Sequence, residues 1–115
     1  MIVLKFGGSS VESAAAIDRV TALVRGRLGR GPVIVVSAMA KTTRKLLESA
    51  EAAAAGNLPA ALDLFEELRE FHRREAYGAI PAAGRPAVDA VLDGSFADLQ
   101  RLLGELAESR ELTPR

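Results

Sequence analysis

The sequence predicts an α/β fold in which a βαβ unit with parallel strands is followed by a helical segment. Two short apolar runs, at Ile2 to Phe6 and at Pro32 to Ser37, have the length and composition of strands, and a helical pattern separates them. A strand, a helix and a second strand in that order pair in parallel through a right-handed crossover. After residue 41 the apolar pattern is helical only, so both strands lie in the first part of the chain.

The first strand leads into a glycine turn and then into a helix. Gly7 and Gly8 follow the strand, and Ser9 with Glu12 three positions later has the pattern of a capping box. The first helix is therefore predicted over about Ser10 to Leu28. Its apolar residues at helical spacing, which should lie on the sheet, are Ile17, Val20, Val24 and Leu28.

The second strand follows a turn that is rich in glycine. Residues 29–32 have the sequence Gly-Arg-Gly-Pro, and the strand is predicted from Pro32 to Ser37. Its residues Val33 to Val36 are apolar without alternation, which is typical of a parallel strand that is covered on both faces. We therefore expect other elements of the fold to cover both faces of this strand.

The rest of the chain is predicted to be helical, because leucine-rich and alanine-rich stretches are separated by glycine and proline. The predicted elements are, in order, a helix over Thr43 to Ala55, a helix over Leu58 to Tyr77, a loop over Pro81 to Pro86, a short helical turn over Ala87 to Leu92, and a last helix that Ser95 caps and Pro114 ends. No linker composition interrupts the chain, so residues 1–115 are interpreted as a portion of one domain without an internal boundary.

The composition narrows the classes of partner. The 15 basic and 15 acidic residues leave no net charge, so neither nucleic acid nor an anionic membrane is an expected partner. The chain has no cysteine, which excludes disulfides and thiolate zinc sites and is compatible with the cytoplasm, where we expect the protein. No apolar run reaches the ~18 residues of a membrane span, and we expect no targeting leader. His72 is the only histidine and is expected to pack or to form hydrogen bonds rather than to bind a metal.

The turn after the first strand has the chemistry of a phosphate site. Gly7 and Gly8 let backbone N–H groups approach an anion closely, and the following helix adds the positive end of its dipole. Lys5, at the end of the strand, supplies a full positive charge on a long side chain. The residues alone are equally compatible with a plain strand-to-helix turn that carries a surface lysine.

Two motifs resemble those of a known family. Lys5-Phe6-Gly7-Gly8-Ser9-Ser10-Val11 resembles the opening of the aspartokinases, which belong to the amino acid kinase superfamily. The stretch from Ser37 to Leu46 is similar to the turn that follows the second strand in that family, and Glu111 to Arg115 is similar to the segment before its Ser-Phe-Gly-Glu motif. The resemblance implies the first part of a kinase domain with a three-layer α/β/α fold. It also implies that the 115-residue chain alone is inactive.

The resemblance implies an activity and a set of site residues. The activity is transfer of the γ-phosphoryl group of ATP to the side-chain carboxylate of L-aspartate, giving 4-phospho-L-aspartate, which is the first step of lysine, threonine and methionine biosynthesis. Mg²⁺ would arrive with the nucleotide, no metal site is expected on the protein, and the enzyme is expected to be a homo-oligomer. The implied catalytic residue is Lys5; the ATP and phosphate-binding residues are Lys5, Phe6, Gly7, Gly8, Ser9 and Ser37; the aspartate-binding residues are Ser37, Ala38, Met39 and Thr43.

The sequence leaves several alternatives open. Arg44 stands where the family motif has Asn, and Lys41 where many members have Gly, so another carboxylate, carbamate or phosphate remains an alternative substrate. A helical binding module is the alternative outside the kinases. Thr43 has the pattern of a helix N-cap, a role that can coexist with substrate binding. Two groups of charged residues have an ordinary interpretation as solvated surface. The basic cluster, which could instead guide ATP, is Lys41, Arg44 and Lys45; the acidic residues, which are not expected to act as acid or base, are Glu66, Glu67, Glu70 and Glu75.

Overall fold

The computed structural model describes residues 1–111 and contains two strands and four α-helices. The strands are β1 (Ile2–Phe6) and β2 (Pro32–Val36), and the helices are α1 (Ala14–Arg25), α2 (Thr42–Ala54), α3 (Leu58–Ala79) and α4 (Arg85–Ser109). Short 3-10 turns occupy Gly8–Val11, Leu28–Arg30 and Ala82–Gly84. The predicted order of a βαβ unit followed by helices is confirmed. The predicted helix end at Pro114 lies outside the described residues.

The two strands form a parallel pair, as predicted. Ile2 lies opposite Pro32 and Phe6 lies opposite Val36. The N–H of Ser37 continues the ladder by donating to the carbonyl oxygen of Phe6 at 3.0 Å. The chain segments that leave the two strands therefore start side by side at the carboxyl edge of the sheet.

The described residues leave β2 largely exposed, so the elements that are expected to cover its two faces are not among them. Val33 is 45% exposed and Val36 is 59% exposed, and Ile34 and Val35 between them are exposed as well. The physical reason is that α2, α3 and α4 pack on one another, and α1 packs on α3, rather than on the strands. The apolar face of α1 is accordingly only half-buried, and Leu28 lies beyond the end of that helix and is 61% exposed.

The start of the first helix also differs from the prediction. Ser9 is not its N-cap, because Ser9 lies inside a 3-10 turn over residues 8–11. The residue that precedes this turn is Gly7, and no side chain caps the turn. The α-helix begins at Ala14, and the Oγ of Ser13 accepts from the N–H of Ala16 at 3.1 Å. Val11, at the end of the turn, is buried to 6% exposure, and this burial holds the chain in a tighter turn than an early helix would allow.

The core lies among α2, α3 and α4. Ala53 and Ala61 are fully buried, and their small side chains let α2 and α3 approach closely. Phe65 on α3 meets Phe96 on α4 edge to face, with ring centroids 5.8 Å apart. The buried residues of this cluster are Ala53, Ala61, Phe65, Leu68, Phe96 and Leu103.

The last helix is longer than predicted. The segments expected as a short helical turn and a new helix capped by Ser95 form one continuous helix from Arg85 to Ser109. This helix also takes in the last two residues of the predicted loop, whose remainder contains the 3-10 turn Ala82–Gly84. Pro86 is tolerated because it lies in the first turn, where its missing N–H has no helical acceptor. Gly94 and Ser95 lie on the exposed side, so packing on the opposite side keeps the helix intact through two residues that favour a break.

Polar contacts fasten the corner between α3 and α4. The hydroxyl of Tyr77 donates to the carboxylate of Asp89, with oxygen–oxygen distances of 2.7 and 2.6 Å. The guanidinium of Arg85 lies 4.7 Å from the centroid of the Tyr77 ring, within the range of a cation–π contact.

His72 packs as predicted, since its Nδ1 lies 2.8 Å from the carbonyl oxygen of Leu68 and its ring lies edge-on to Phe96. Within residues 1–111, no helix has the length and apolar character needed to cross a membrane.

Candidate functional site

The structure brings the two family-like motifs together at the carboxyl edge of the sheet. The glycine turn (residues 7–11) follows β1, and the second turn (residues 37–41) follows β2. The N–H of Ala40 donates to the carbonyl oxygen of Gly8 at 3.3 Å. A Cβ atom on Gly8 would lie 3.4 Å from the carbonyl oxygen of Ala38 and 3.5 Å from that of Ala40. The two turns are therefore in direct backbone contact.

The two glycines of the turn differ in their surroundings. Neither has a positive φ, and Gly7 is extended at φ −77° and ψ −179°, so the backbone conformation does not require glycine at either position. A Cβ atom on Gly8 would be in ordinary van der Waals contact with two carbonyl oxygens of the second turn, so the space at this position leaves little room for a larger side chain but would accept a methyl group. Gly7 leaves an open space, since a Cβ there would meet no atom of the described residues within 4 Å.

Backbone donors at the glycine turn are unused by the described residues. The N–H of Ser10 donates to the carbonyl oxygen of Gly7 at 3.0 Å, whereas the N–H groups of Gly7, Gly8 and Ser9 have no acceptor there. Lys5 lies opposite Val35 in the sheet, is exposed, and forms no ion pair within residues 1–111. Consecutive free N–H groups, together with a lysine two residues before them that forms no ion pair in residues 1–111, match the donor set that a phosphate needs.

The other expected residues of the first strand and the second turn lie next to this donor set. Phe6 is half-buried, and its carbonyl oxygen accepts the bond from Ser37, so it packs and pairs. The Oγ of Ser37 lies 4.0 Å from the position of a Cβ on Gly8. Ala38 contacts Gly8 through its carbonyl oxygen, and the carbonyl oxygen of Met39 accepts from Thr42 at 3.0 Å.

Thr43 does not cap a helix, so that alternative is wrong. Helix α2 begins at Thr42, the cap position is Lys41, and no side chain caps the helix. Thr43 lies exposed in the first turn of α2. Its hydroxyl forms no hydrogen bond within the described part of the chain and is free for another partner.

Ala40 holds an unusual backbone conformation in the second turn. Its φ is +44°, one of two positive values at non-glycine residues in the described chain. The left-handed region brings the Cβ close to the following carbonyl oxygen and costs roughly 1–2 kcal/mol. Strain of this kind persists only where surrounding contacts enforce it, and the bond from Ala40 to Gly8 is such a contact. The sequence carries no signal for this strain.

The expected basic cluster is largely neutralised. Arg44 pairs with Glu48 at 3.2 Å, and Lys45 pairs with Glu67 at 3.4 Å. Lys41 has no ion pair within the described residues, so it and Lys5 are the free cations of these two segments. A cleft of about 220 Å³ opens beside the second turn. Its lining residues are Ala40, Lys41, Thr42, Lys45, Leu68 and Phe71.

One acidic residue of α3 has a role that sequence analysis missed. Glu66 and Arg69 pair on the helix surface as expected, and the hydrogen bond to Glu66, followed by its charge, raises the pKa of Arg69. Glu75 is different, because its side chain is only 18% exposed and its Oε1 accepts from the N–H of Ala14 at 3.3 Å. No local pattern indicates this contact, since the two residues are 61 positions apart.

The comparison with known families agrees with the two motifs. The model of the amino acid kinase family matches residues 1–108, so the chain belongs to that family. Its relatives include plant aspartokinases. The chain is 39% identical to the chloroplastic aspartokinase 3 of Arabidopsis thaliana and 38% identical to the chloroplastic aspartokinase 2, in each case over 98% of this chain and 20% of the relative. It is 37% identical to the chloroplastic aspartokinase 1 of the same plant, over 98% of this chain and 19% of the relative. The chain thus spans about a fifth of the length of these curated relatives.

Proposed function

We propose that the chain forms the phosphate-binding part of an aspartate kinase. The complete enzyme would transfer the γ-phosphoryl group of ATP to the side-chain carboxylate of L-aspartate, as the first step of lysine, threonine and methionine biosynthesis. The contact between Gly8 and the backbone of Ala40 carries the proposal, because it joins the two motifs at the sheet edge where ligands of open α/β sheets bind. The identity to three aspartokinases supports the choice of aspartate as the acceptor.

The glycine turn would hold the transferring phosphate. A carboxylate oxygen of aspartate attacks the γ-phosphorus, the bond to the β,γ-bridging oxygen breaks, and ADP leaves with the electron pair of that bond. Negative charge spreads over the equatorial oxygens during the transfer. The ammonium of Lys5 and the free N–H groups of Gly7, Gly8 and Ser9 are donors that can stabilise this charge without reorganising. Mg²⁺ would be bound to the nucleotide and would neutralise part of the same charge.

The second turn and the start of α2 would hold aspartate. Ser37 and Thr43 have exposed side chains with hydroxyl groups that can donate to a carboxylate. Ala38 and Met39 shape the wall between them through their backbone contacts to Gly8 and Thr42. The exposure of Thr43 and the absence of a cap bond in the described structure support its role as a substrate contact rather than a helix cap.

We further propose that the protein is a homo-oligomer and that it works in the cytoplasm. Exposed valines and an isoleucine along β2 support self-association, since apolar strands with unpaired edges add further strands readily. The relatives from Arabidopsis thaliana are chloroplastic by name, so cell fractionation of the source organism tests the compartment directly.

The test of the proposed activity is Lys5→Met in the complete kinase, assayed by trapping the acyl phosphate with hydroxylamine. We expect turnover to fall on the order of a hundredfold while the KM for ATP changes little, because Lys5 would act mainly on the transition state. The matched control is Arg30→Met, which removes an exposed cation at the opposite edge of the sheet. Near-normal turnover of Lys5→Met at saturating ATP and aspartate would refute the role of this turn.

A further inference from the structure

The first turn of α1 is held by two residues of α3 that lie three positions apart. The Oε1 of Glu75 accepts from the N–H of Ala14 at 3.3 Å. A Cβ atom on Gly78 would lie 2.9 Å from the Cβ of Ala14, closer than real side chains approach one another. Residues three apart share one face of a helix, so the carboxylate of Glu75 and the space left by Gly78 lie side by side. Together they form a single contact site, the seat, for Ala14.

The bond to Glu75 adds to the cap of α1. Ser13 is the N-cap residue and its side chain bonds to the N–H of Ala16, which leaves the N–H of Ala14 without a partner inside the helix. Glu75 supplies that partner from another helix, and its negative charge lies at the positive end of the α1 dipole. Its second oxygen lies 3.4 Å from the Nε of Arg74, so both carboxylate oxygens are engaged.

The same contact restrains the glycine turn. Ala14 follows Val11, the buried last residue of that turn, after only two residues. At its other end the turn is held by the bond from Ala40 to Gly8. The glycine turn is therefore fastened at one side to the second turn and at the other side, through Ala14, to α3.

We propose that Glu75 is a positioning residue that caps α1 from α3 and, together with Gly78, fixes the glycine turn in the geometry that binds phosphate. The statement about phosphate rests on the proposed function. Loss of the seat frees α1 to shift, and the N–H groups of Gly7, Gly8 and Ser9 then lose their common orientation. Lys5 belongs to β1 and is not moved directly, so the loss falls on the backbone donors.

The variants separate capping from general stability. Glu75→Ala removes the acceptor, whereas Glu75→Gln keeps an acceptor oxygen of nearly the same shape and loses only the charge, so it should have a smaller effect than Glu75→Ala. Gly78→Ala pushes Ala14 off its seat from the other side. The controls are Gly94→Ala and Gly104→Ala in α4, because no atom lies within 4 Å of a Cβ at either position.

Amide hydrogen exchange measured by NMR gives the readout. All NMR measurements use the 115-residue chain with Val33→Lys as the background, because this substitution reduces the exposed apolar surface of β2 that would drive self-association. Glu75→Ala and Gly78→Ala should accelerate exchange about fivefold or more at Ala14 and at Ala40, whose N–H bonds report the cap and the position of the glycine turn. Exchange at Leu68 in the core should be unchanged in every variant, and exchange at all three sites should be unchanged in both controls. Glu75→Gln should accelerate exchange at Ala14 and Ala40 less than Glu75→Ala does. If exchange at Ala14 is unchanged in Glu75→Ala, the proposed cap is overturned. If exchange is faster at Ala14 but unchanged at Ala40, the proposed restraint on the glycine turn is overturned.

A titration with inorganic pyrophosphate, followed at the amide signals of Gly7, Gly8 and Ser9, tests the link to phosphate. We expect Glu75→Ala to weaken binding about fivefold and Glu75→Gln to weaken it less. Equal binding by Glu75→Ala and the natural chain, with faster exchange at Ala40, overturns the positioning of donors. If the natural chain binds no pyrophosphate, or binds it equally after Lys5→Met, the proposed function fails instead, and the exchange data alone decide the cap and the restraint.

Discussion

Replacement of Ala40 by glycine should stabilise the protein, although glycine is usually a destabilising replacement for alanine. The left-handed backbone of Ala40, at φ +44°, costs roughly 1–2 kcal/mol with a Cβ atom present and little without it. Glycine loses more conformational freedom on folding, which costs about 0.5–1 kcal/mol. The net expectation is a free energy of unfolding that rises by about 0.5–1 kcal/mol.

The control for this prediction is the same substitution at an ordinary helical position. Ala90 is exposed within α4, so Ala90→Gly should lower the free energy of unfolding by about 1 kcal/mol. At roughly 4 °C or more per kcal/mol for a domain of this size, the two melting temperatures should move in opposite directions by several degrees. Thermal unfolding followed by circular dichroism measures both. A lower melting temperature for Ala40→Gly, similar to that of Ala90→Gly, would refute the conclusion that the second turn is strained.

Three further outcomes are expected. Tyr77→Phe should lower the free energy of unfolding in urea by roughly 1.5 kcal/mol, because the Asp89 carboxylate loses its phenol donor; an unchanged midpoint would contradict this. The 115-residue chain should self-associate at micromolar concentration, and light scattering should show that Val33→Lys disperses it while Leu23→Lys, at similar exposure on α1, does not. The chain alone should form no hydroxamate from aspartate and ATP, because half a site cannot orient both reactants; ATP consumption that depends on aspartate and on Lys5 would show the opposite.

Local patterns were sufficient for the order of elements and insufficient for burial. The apolar runs that became β1 and β2 are short and rich in β-branched residues, and their parallel pairing follows from the helix between them. The apolar run of β2 does not itself show how far Val36 is exposed, because burial depends on which elements pack against a strand and no local pattern records that.

The boundaries of helices depended on competing local signals. Ser9 with Glu12 has the sequence of a capping box, whereas Ser13 is only a favourable N-cap residue without an acidic partner at Ala16. The structure nevertheless uses Ser13, and Val11 between the two candidates is buried. In α4, the exposed Gly94 has a low helix propensity and favours a break. The helix nevertheless continues through Gly94, because its opposite face packs against the core.

The parts of the candidate site that lie in continuous segments of the chain could be predicted from the sequence. The contacts between residues that are distant in the chain could not. The residues of both turns stand in two continuous segments, so their meeting at one sheet edge followed from parallel pairing. The bond between Glu75 and Ala14 joins residues 61 positions apart, and the acidic helix surface around Glu75 gave no sign of it. The left-handed Ala40 likewise follows from the contact with Gly8 and not from its neighbours in the chain.

The separation between the packed helices and the uncovered strand pair has a consequence for the order of folding. Helices α2, α3 and α4 follow one another and make mostly local contacts, which form quickly. The pairing of β1 with β2 must first close the loop that contains α1, and it gains little burial in return, because β2 stays exposed. The helical cluster should therefore fold first. Helix α1 should then pack on α3 through the contact between Ala14 and Glu75. The strand pair, which orients the glycine turn, should be the last unit to form and the first to open.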